Sequence, residues 1–345
     1  PIESSLSGVQ RGVTPQEALW YETTFEVPAA WRRGNDVLLH FGAVDWRAEV
    51  YVNDLLVGSH TGGYTPFSFD ITPALSAKGV QKLTVKVTDS TDKGFQPHGK
   101  QVLEPHGIWY TPVTGIWQTV WIEPVPAANR IEGITTRSDI RAGVLSVDVK
   151  TARTGSDRVC VTLSADGKTL AERSSMAGQP VHLAVEHPRL WSPDDPYLYD
   201  LTVTLLRDGR VIDRAESYAA LREIATGRDA NGIERMTLNG RPLFHFGPLD
   251  QGWWPDGLYT APTDEALLYD IRFTKQLGFN MIRKHIKVEP ERWYWHCDRE
   301  GILVWQDMPS GDRGPQWQMH NYFTGEEKHR SAESEANFRK EWKEI

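Results

Sequence analysis

Three short stretches of this chain concentrate side chains able to hold a polyol. The run Gly247-Pro248-Leu249-Asp250-Gln251-Gly252-Trp253-Trp254-Pro255-Asp256 sets a carboxylate, an amide and two indoles in one loop, while Arg283-Lys284-His285 and Trp305-Gln306-Asp307 each close an apolar run. Flat apolar faces suit a pyranose ring, bidentate partners suit vicinal hydroxyls, and paired carboxyl groups cleave glycosidic bonds. Asp250, Arg283, His285 and Asp307 are therefore candidate hydroxyl contacts, with Trp253, Trp254 and Trp305 as candidate walls. Each has a plainer alternative. Trp305 follows three apolar residues and could be strand packing. Arg283 and Asp307 could form a structural ion pair between neighbouring strands. His285 could be a hydrogen-bonded core histidine, and Asp250 a turn former beneath a hydrophobic lid. His98, Glu104 and His106 share a loop without regular spacing and read as solvated residues rather than metal ligands. The chain has no glycine-rich phosphate loop, Gly-x-Ser-x-Gly elbow or His-Glu-x-x-His helix, and Glu326, Glu327, Glu333 and Glu335 read as a solvated helix face.

These residues need elements to aim them. After Asn239-Gly240, Leu243-Phe244-His245-Phe246 reads as a strand. Thr263 to Leu277 has apolar residues at helical spacing and stops at Gly278. Phe279 to His285 reads as a second strand, Pro290 opens a helix that stops at Gly301, and Ile302 to Trp305 reads as a third strand. Strand, helix, strand, helix, strand implies parallel pairing, and a final amphipathic segment starts near Ser331. In a (β/α) barrel the working residues project from the C-terminal strand ends, where Asp250, His285 and Asp307 fall.

Upstream the texture is all β. Val37–Phe41, Ala48–Val52 and Leu83–Val87 alternate, with a turn at Asn53-Asp54; Pro124 and Pro126 interrupt the pattern and suggest a boundary. From about Arg130 to Leu221 a second set of strands alternates, with hairpin turns at Asp166-Gly167 and Asp208-Gly209, in the size range of an immunoglobulin-like sandwich. Cys160, flanked by apolar residues, reads as a core thiol.

A chain of 345 residues should fold as several cores, and its two cysteines exclude a disulfide framework. A net charge of -8 argues against nucleic-acid or anionic-membrane partners, and no apolar run is long enough to span a bilayer. The opening Pro1-Ile2-Glu3-Ser4 is neither an initiator methionine nor a signal peptide, so the reading expects processing or a missing N-terminus.

Longer series add a resemblance. Phe41-Gly42-Ala43-Val44-Asp45, Val50-Tyr51-Val52-Asn53, Gly58 to Phe67, Phe69-Asp70-Ile71-Thr72 and Gly115 to Trp121 resemble the sugar-binding jelly roll of the family-2 glycoside hydrolases. Asn280 to His285, followed by Asp298 to Trp305, is similar to that family's first barrel signature. The resemblance implies a multidomain fold: a β-sandwich jelly roll (1–126), an immunoglobulin-like β-sandwich (127–222), and the first strands and helices of a truncated (β/α)8 TIM barrel (223–345). It implies a retaining exo-β-glycosidase, β-galactosidase-like, acting on carbohydrate, with no cofactor and no metal. The family's acid/base and nucleophile glutamates would lie beyond Ile345, so no catalytic residue is assigned within this chain. By resemblance His285 contacts substrate hydroxyls and Arg283 supports the site from the barrel floor. Two departures stand out. Ile286-Lys287 replaces the usual Tyr-Pro, and Gly62 stands near where a galactosidase aspartate would be; the opening Ile2 to Leu6 segment is a candidate to approach the pocket instead. A non-catalytic carbohydrate-binding or scaffold protein is the main rival, and a hydrolase using carboxylates already present is a second. A homo-oligomer and a periplasmic or secreted location are compatible with the resemblance.

Overall fold

The computed structural model describes residues 1–311 and 330–345. In its first part, strands Leu19–Phe25, Gln81–Thr88, Arg47–Val52 and Leu55–Thr61 form one sheet in that spatial order. A second sheet is made by Phe67–Asp70, Asn35–Phe41 and Val120–Pro126. Side chains alternate faces along a strand, so Val37, Leu39 and Phe41 from one sheet meet Ala48, Val50, Val52, Val85 and Val87 from the other in a dry core. Asn53 and Asp54 both take positive φ, 50° and 64°, the conformation a tight hairpin turn requires. Pro124 and Pro126, expected to break the pattern, instead lie inside an edge strand, where a missing N–H costs little.

The next strands build a second sandwich. Ile131–Asp139, Val144–Thr151 and Val181–Ala184 form one sheet; Lys168–Met176, Arg158–Ala165, Tyr199–Arg207 and Arg210–Ala219 form the other. Its core holds Leu145, Val147, Val159, Val161, Leu163, Leu201 and Val203. The hairpin turns fall where the sequence put them, with positive φ at Asp166, Gly167, Asp208 and Gly209. Cys160 is a correction: Val159 and Val161 point inward, so the thiol between them faces the other side and is only half-buried. Arg207 closes one end of this sandwich through both oxygens of buried Asp157, at 2.8 Å each, and Asn129 Nδ2 donates to the same carboxylate at 2.7 Å.

A small antiparallel sheet of Ile224–Arg228, Glu234–Leu238 and Arg241–Pro242 leads into the third part. There, Leu249–Asp250, Met281–Lys284 and Leu303–Gln306 pair in parallel, alternating with helices Asp264–Gln276 and Glu291–Glu300. Thr263 caps the first helix by accepting the Ala266 N–H at 3.1 Å, and Gly301 ends the second in the left-handed region, φ 78°. The first strand is displaced from its expected place. Phe244 to Phe246 runs alongside Asn280, held by that residue's side-chain amide and by its backbone N–H, which donates to Phe246 O at 3.0 Å, and ladder pairing starts only at Leu249. Leu267, Ile271, Ile282, Trp293 and Ile302 fill the space between sheet and helices. Trp191 of the second sandwich packs with Leu238, Met281 and Leu303 at the other end of the sheet. Helix Ala332–Glu344 returns to the first sandwich, where Glu341 accepts from Trp46 Nε1 at 3.1 Å and Asn337 Nδ2 donates to Phe95 O at 3.1 Å. Glu326 and Glu327, expected on a solvated helix face, lie outside the described residues.

Candidate functional site

Parallel register puts Arg283 opposite Trp305 and Lys284 opposite Gln306, so the first pair shares one face of the sheet and the second pair the other. On the first face Asp307 is the hub. Its carboxylate accepts from Arg283 Nε at 3.1 Å and Nη2 at 3.0 Å, and lies 2.7 Å from His285 Nδ1. Partial burial pushes the Asp307 pKa up, but the Arg283 and His285 hydrogen bonds outweigh it and hold the group below the ordinary carboxylate range. Trp305 Nε1 donates to His245 Nδ1 at 2.8 Å. Because Nδ1 accepts this bond, the His245 ring proton sits on Nε2, and burial lowers the His245 pKa. Arg283 and Trp305 remain open to solvent on this face, 46% exposed at the Arg283 side chain. The result is a cation, an imidazole, a carboxylate and an indole at the C-terminal ends of parallel strands.

The other three predicted site residues are elsewhere. Asp250 pairs with Lys284 across the sheet and shares its face; Lys284 Nζ donates to Asp250 Oδ2 at 2.5 Å and Glu289 Oε1 at 2.9 Å. Asp250 Oδ1 accepts the Gly252 N–H at 2.7 Å, which is the turn-forming role weighed above. Trp253 packs on Tyr259 and Tyr110, with ring centroids 4.5 and 4.9 Å away, and Trp254 joins the Leu267 and Ile271 core. The structure thus brings Arg283, His285, Trp305 and Asp307 together and turns Asp250, Trp253 and Trp254 into the packing behind them.

Sequence reasoning missed the group that does this turning. Lys284 is 1% exposed and lies 4.3 Å from the Trp293 ring centroid. Lys287 is fully buried, donating to Gly252 O at 2.6 Å and Tyr259 O at 2.9 Å, with Glu289 Oε1 2.9 Å away. Burial lowers the Lys284 pKa, but Glu289 and Asp250 reverse that and the net shift is upward; for Lys287 burial wins over Glu289 and the value falls to about 8. The available signal was alternation, since Lys284 occupies the same inward register as Ile282. Lys287, where the family commonly has a different pair, is committed to loop carbonyls.

Gly62 lies under the last helix, where an added Cβ would be 3.3 Å from Glu341 Cγ. The opening segment borders a different cavity, of about 1260 Å³, lined by Pro1, Ser4, Tyr64, Tyr259, Tyr294 and Gln306 and not by Arg283, His285, Trp305 or Asp307. It is tied down by Ser4 Oγ donating to Asp256 O at 2.5 Å and by the Glu3 carboxylate accepting the Thr114 N–H at 3.1 Å. His98 is buried while His106 is exposed and bonded to Glu104 O, and among the described residues no group of three or more potential ligands could hold a metal ion. No helix among them is long and apolar enough to cross a membrane.

Comparisons with known proteins fit this geometry. The sequence profile of the glycosyl hydrolases family 2 sugar binding domain matches residues 9–126, and a second profile, glycosyl hydrolases family 2, matches residues 129–222. A β-galactosidase of Thermoanaerobacter pseudethanolicus is 26% identical over 84% of this chain and 39% of its own length. The Bacteroides ovatus β-galactosidase BoGH2A is 29% identical over 88% of this chain and 35% of its own length. The crystal structure of Ruminococcus gnavus β-glucuronidase superposes with a TM-score of 0.72 at 25% identity, covering 85% of this chain and 50% of that one. This chain therefore spans well under half the length of these two curated relatives. With two profiles of one family covering most of its first two sandwiches, in the family's order, the chain belongs to glycoside hydrolase family 2.

Proposed function

We propose that this chain is the N-terminal portion of a retaining, β-galactosidase-like exo-β-glycosidase. In this reading residues 1–126 are the sugar-binding jelly roll, 127–222 the immunoglobulin-like sandwich, and 223–345 the opening strands and helices of a (β/α)8 barrel. The observation that carries it is the Arg283, His285, Asp307 and Trp305 cluster at the C-terminal ends of parallel strands, the end at which such barrels do their chemistry. Asp307 and His285 would bind sugar hydroxyls, Arg283 would hold Asp307 ionised, and Trp305 would offer an apolar face. Asp250, Trp253 and Trp254 would support this surface from behind. The proton donor and nucleophile would be a pair of glutamates on later strands, about 5 to 5.5 Å apart, acting through a covalent glycosyl-enzyme intermediate.

The test is an assay of the 345-residue chain and of a full-length parent on a panel of aryl β-glycosides. The parent should turn over one of them with retention, and the 345-residue chain none. Hydrolysis by the 345-residue chain that Asp307→Asn abolishes would put the chemistry on residues already present. A full-length parent that binds the sugars without hydrolysing any would favour the binding-protein reading.

A further inference from the structure

The outer face of the first sandwich carries a surface that the proposed active site does not use. Register across the sheet of Phe67–Asp70, Asn35–Phe41 and Val120–Pro126 sets Ser68, His40 and Trp121 in one row, with Asp70, Leu38 and Glu123 in the next. Trp121 is 44% exposed although it belongs to a regular strand. Its ring stacks on His40 with centroids 4.8 Å apart and planes 14° from parallel. His40 Nδ1 is 2.6 Å from Ser68 Oγ, and Nε2 is 3.0 Å from Glu123 Oε1. The imidazole is anchored through Nδ1 by Ser68 and stacked face to face on the indole, with the Glu123 carboxylate close to its other nitrogen. A rigid indole presenting one free face, rimmed by a hydroxyl and a carboxylate, matches the apolar C–H face and peripheral hydroxyls of a pyranose.

Two further observations define the ligand. Trp121, His40 and Ser68 line the same 1260 Å³ cavity as Tyr294 and Gln306, on the side of the parallel sheet away from Asp307. That volume exceeds the roughly 300–1,000 Å³ of ordinary small-molecule pockets and suits several linked sugar units. Among the described residues its walls carry Glu132, Glu289, Glu291 and Glu344 against one side-chain cation, Arg292. Such a surface accepts hydroxyl donors and repels carboxylates.

We infer that Trp121, seated on His40 and flanked by Ser68 and Glu123, is an accessory subsite for a neutral oligosaccharide chain whose other end runs toward Tyr294 and Gln306 in the same cavity. Neither the subsite nor that direction rests on the function proposed above.

The experiment titrates the 345-residue chain by calorimetry with neutral β-1,4-linked tetraoses of glucose, galactose, mannose and xylose, and with a trigalacturonate. At least one neutral tetraose should bind. Trp121→Ala should weaken it by about fivefold or more, as loss of an aromatic stacking partner implies, while Trp121→Phe keeps most of the affinity. Thermal unfolding of both variants should match the parent chain, since the indole is a surface group. Trigalacturonate should bind more weakly than the neutral probe. The inference is overturned if no neutral tetraose binds, if Trp121→Ala binds as tightly as the unmodified chain, or if trigalacturonate is preferred. It is also overturned if sedimentation shows Trp121 buried in a dimer that Trp121→Ala dissociates. Failure of a full-length parent to hydrolyse aryl glycosides would sink the proposed activity and leave these titrations interpretable.

Discussion

Lys284, Lys287, Asp250 and Glu289 form a buried group of two cations and two carboxylates, and their value lies in position more than in net stabilisation. A buried pair scarcely repays its desolvation, but removing one partner strands the other. Lys284→Met should therefore lower stability by about 3 kcal/mol, because buried Glu289 and part-buried Asp250 both lose this cation. In calorimetry that corresponds to a fall of about 6–12 °C in the transition that contains this sheet. Asp307→Asn should behave in the opposite way. Its main partner Arg283 is 46% exposed, so stability should change by less than about 1 kcal/mol, whereas the sugar binding proposed for the Arg283 and His285 face should be lost, as titration of a full-length parent with its product sugar would read. Equal loss of stability in the two variants would mean that Asp307 is structural.

Among the elements, helix Ala332–Glu344 has the most conditional attachment. Burial raises Glu341 to about 7 against the opposing Trp46 hydrogen bond, with Lys340 and Glu344 as charged neighbours. A free glutamate ionises near 4.5, so between about pH 4.5 and 7 the unfolded chain releases a proton that the docked helix retains. Docking is then strongest on the acid side and weakens as pH rises through 7. Hydrogen exchange in this helix should speed up from pH 5 to pH 8 beyond the intrinsic rate change, and Glu341→Gln should abolish the excess. Asp157 works with the reverse sign. Hydrogen bonds from Arg207 and Asn129 depress it to about 2, so its contribution is present above about pH 4 and is lost as pH falls toward 2. Asp157→Ala should flatten the acid limb of the second sandwich's unfolding curve and cost about 2 kcal/mol at neutral pH. Such elements were largely legible beforehand. Thr263, Pro290, Gly301 and Ser331 punctuate their helices where the sequence places them, because capping is a local rule. Faces were not legible. Assigning Asp250 to the Arg283 side required the pairing register, and register is set by contacts 34 residues away in sequence. The first strand was misplaced for a related reason: Phe244 and Phe246 carry strand-like side chains, but Asn280 engages them by its amide.

Over the whole molecule, three parts are tied by a few specific joints. Asp298 is one: its Oδ1 accepts from Arg222, its Oδ2 from Tyr218 Oη and its backbone oxygen from Trp191 Nε1, all three donors coming from the second sandwich side. Asp298→Ala should loosen this joint without unfolding either neighbour. Limited proteolysis should then cut between the second sandwich and the parallel sheet faster than in the unmodified chain, and unchanged cleavage would show the Trp191 packing to be sufficient alone. The return of the last helix to Trp46, Thr61 and Thr65 joins groups 279 to 295 positions apart. At about 5–20 residues per second of translation, the first sandwich, complete at Pro126, waits roughly 10 to 45 seconds on the ribosome before its covering helix is made. During that interval Trp46 has no carboxylate partner, so the first sandwich must hold its shape on its own core before the helix arrives.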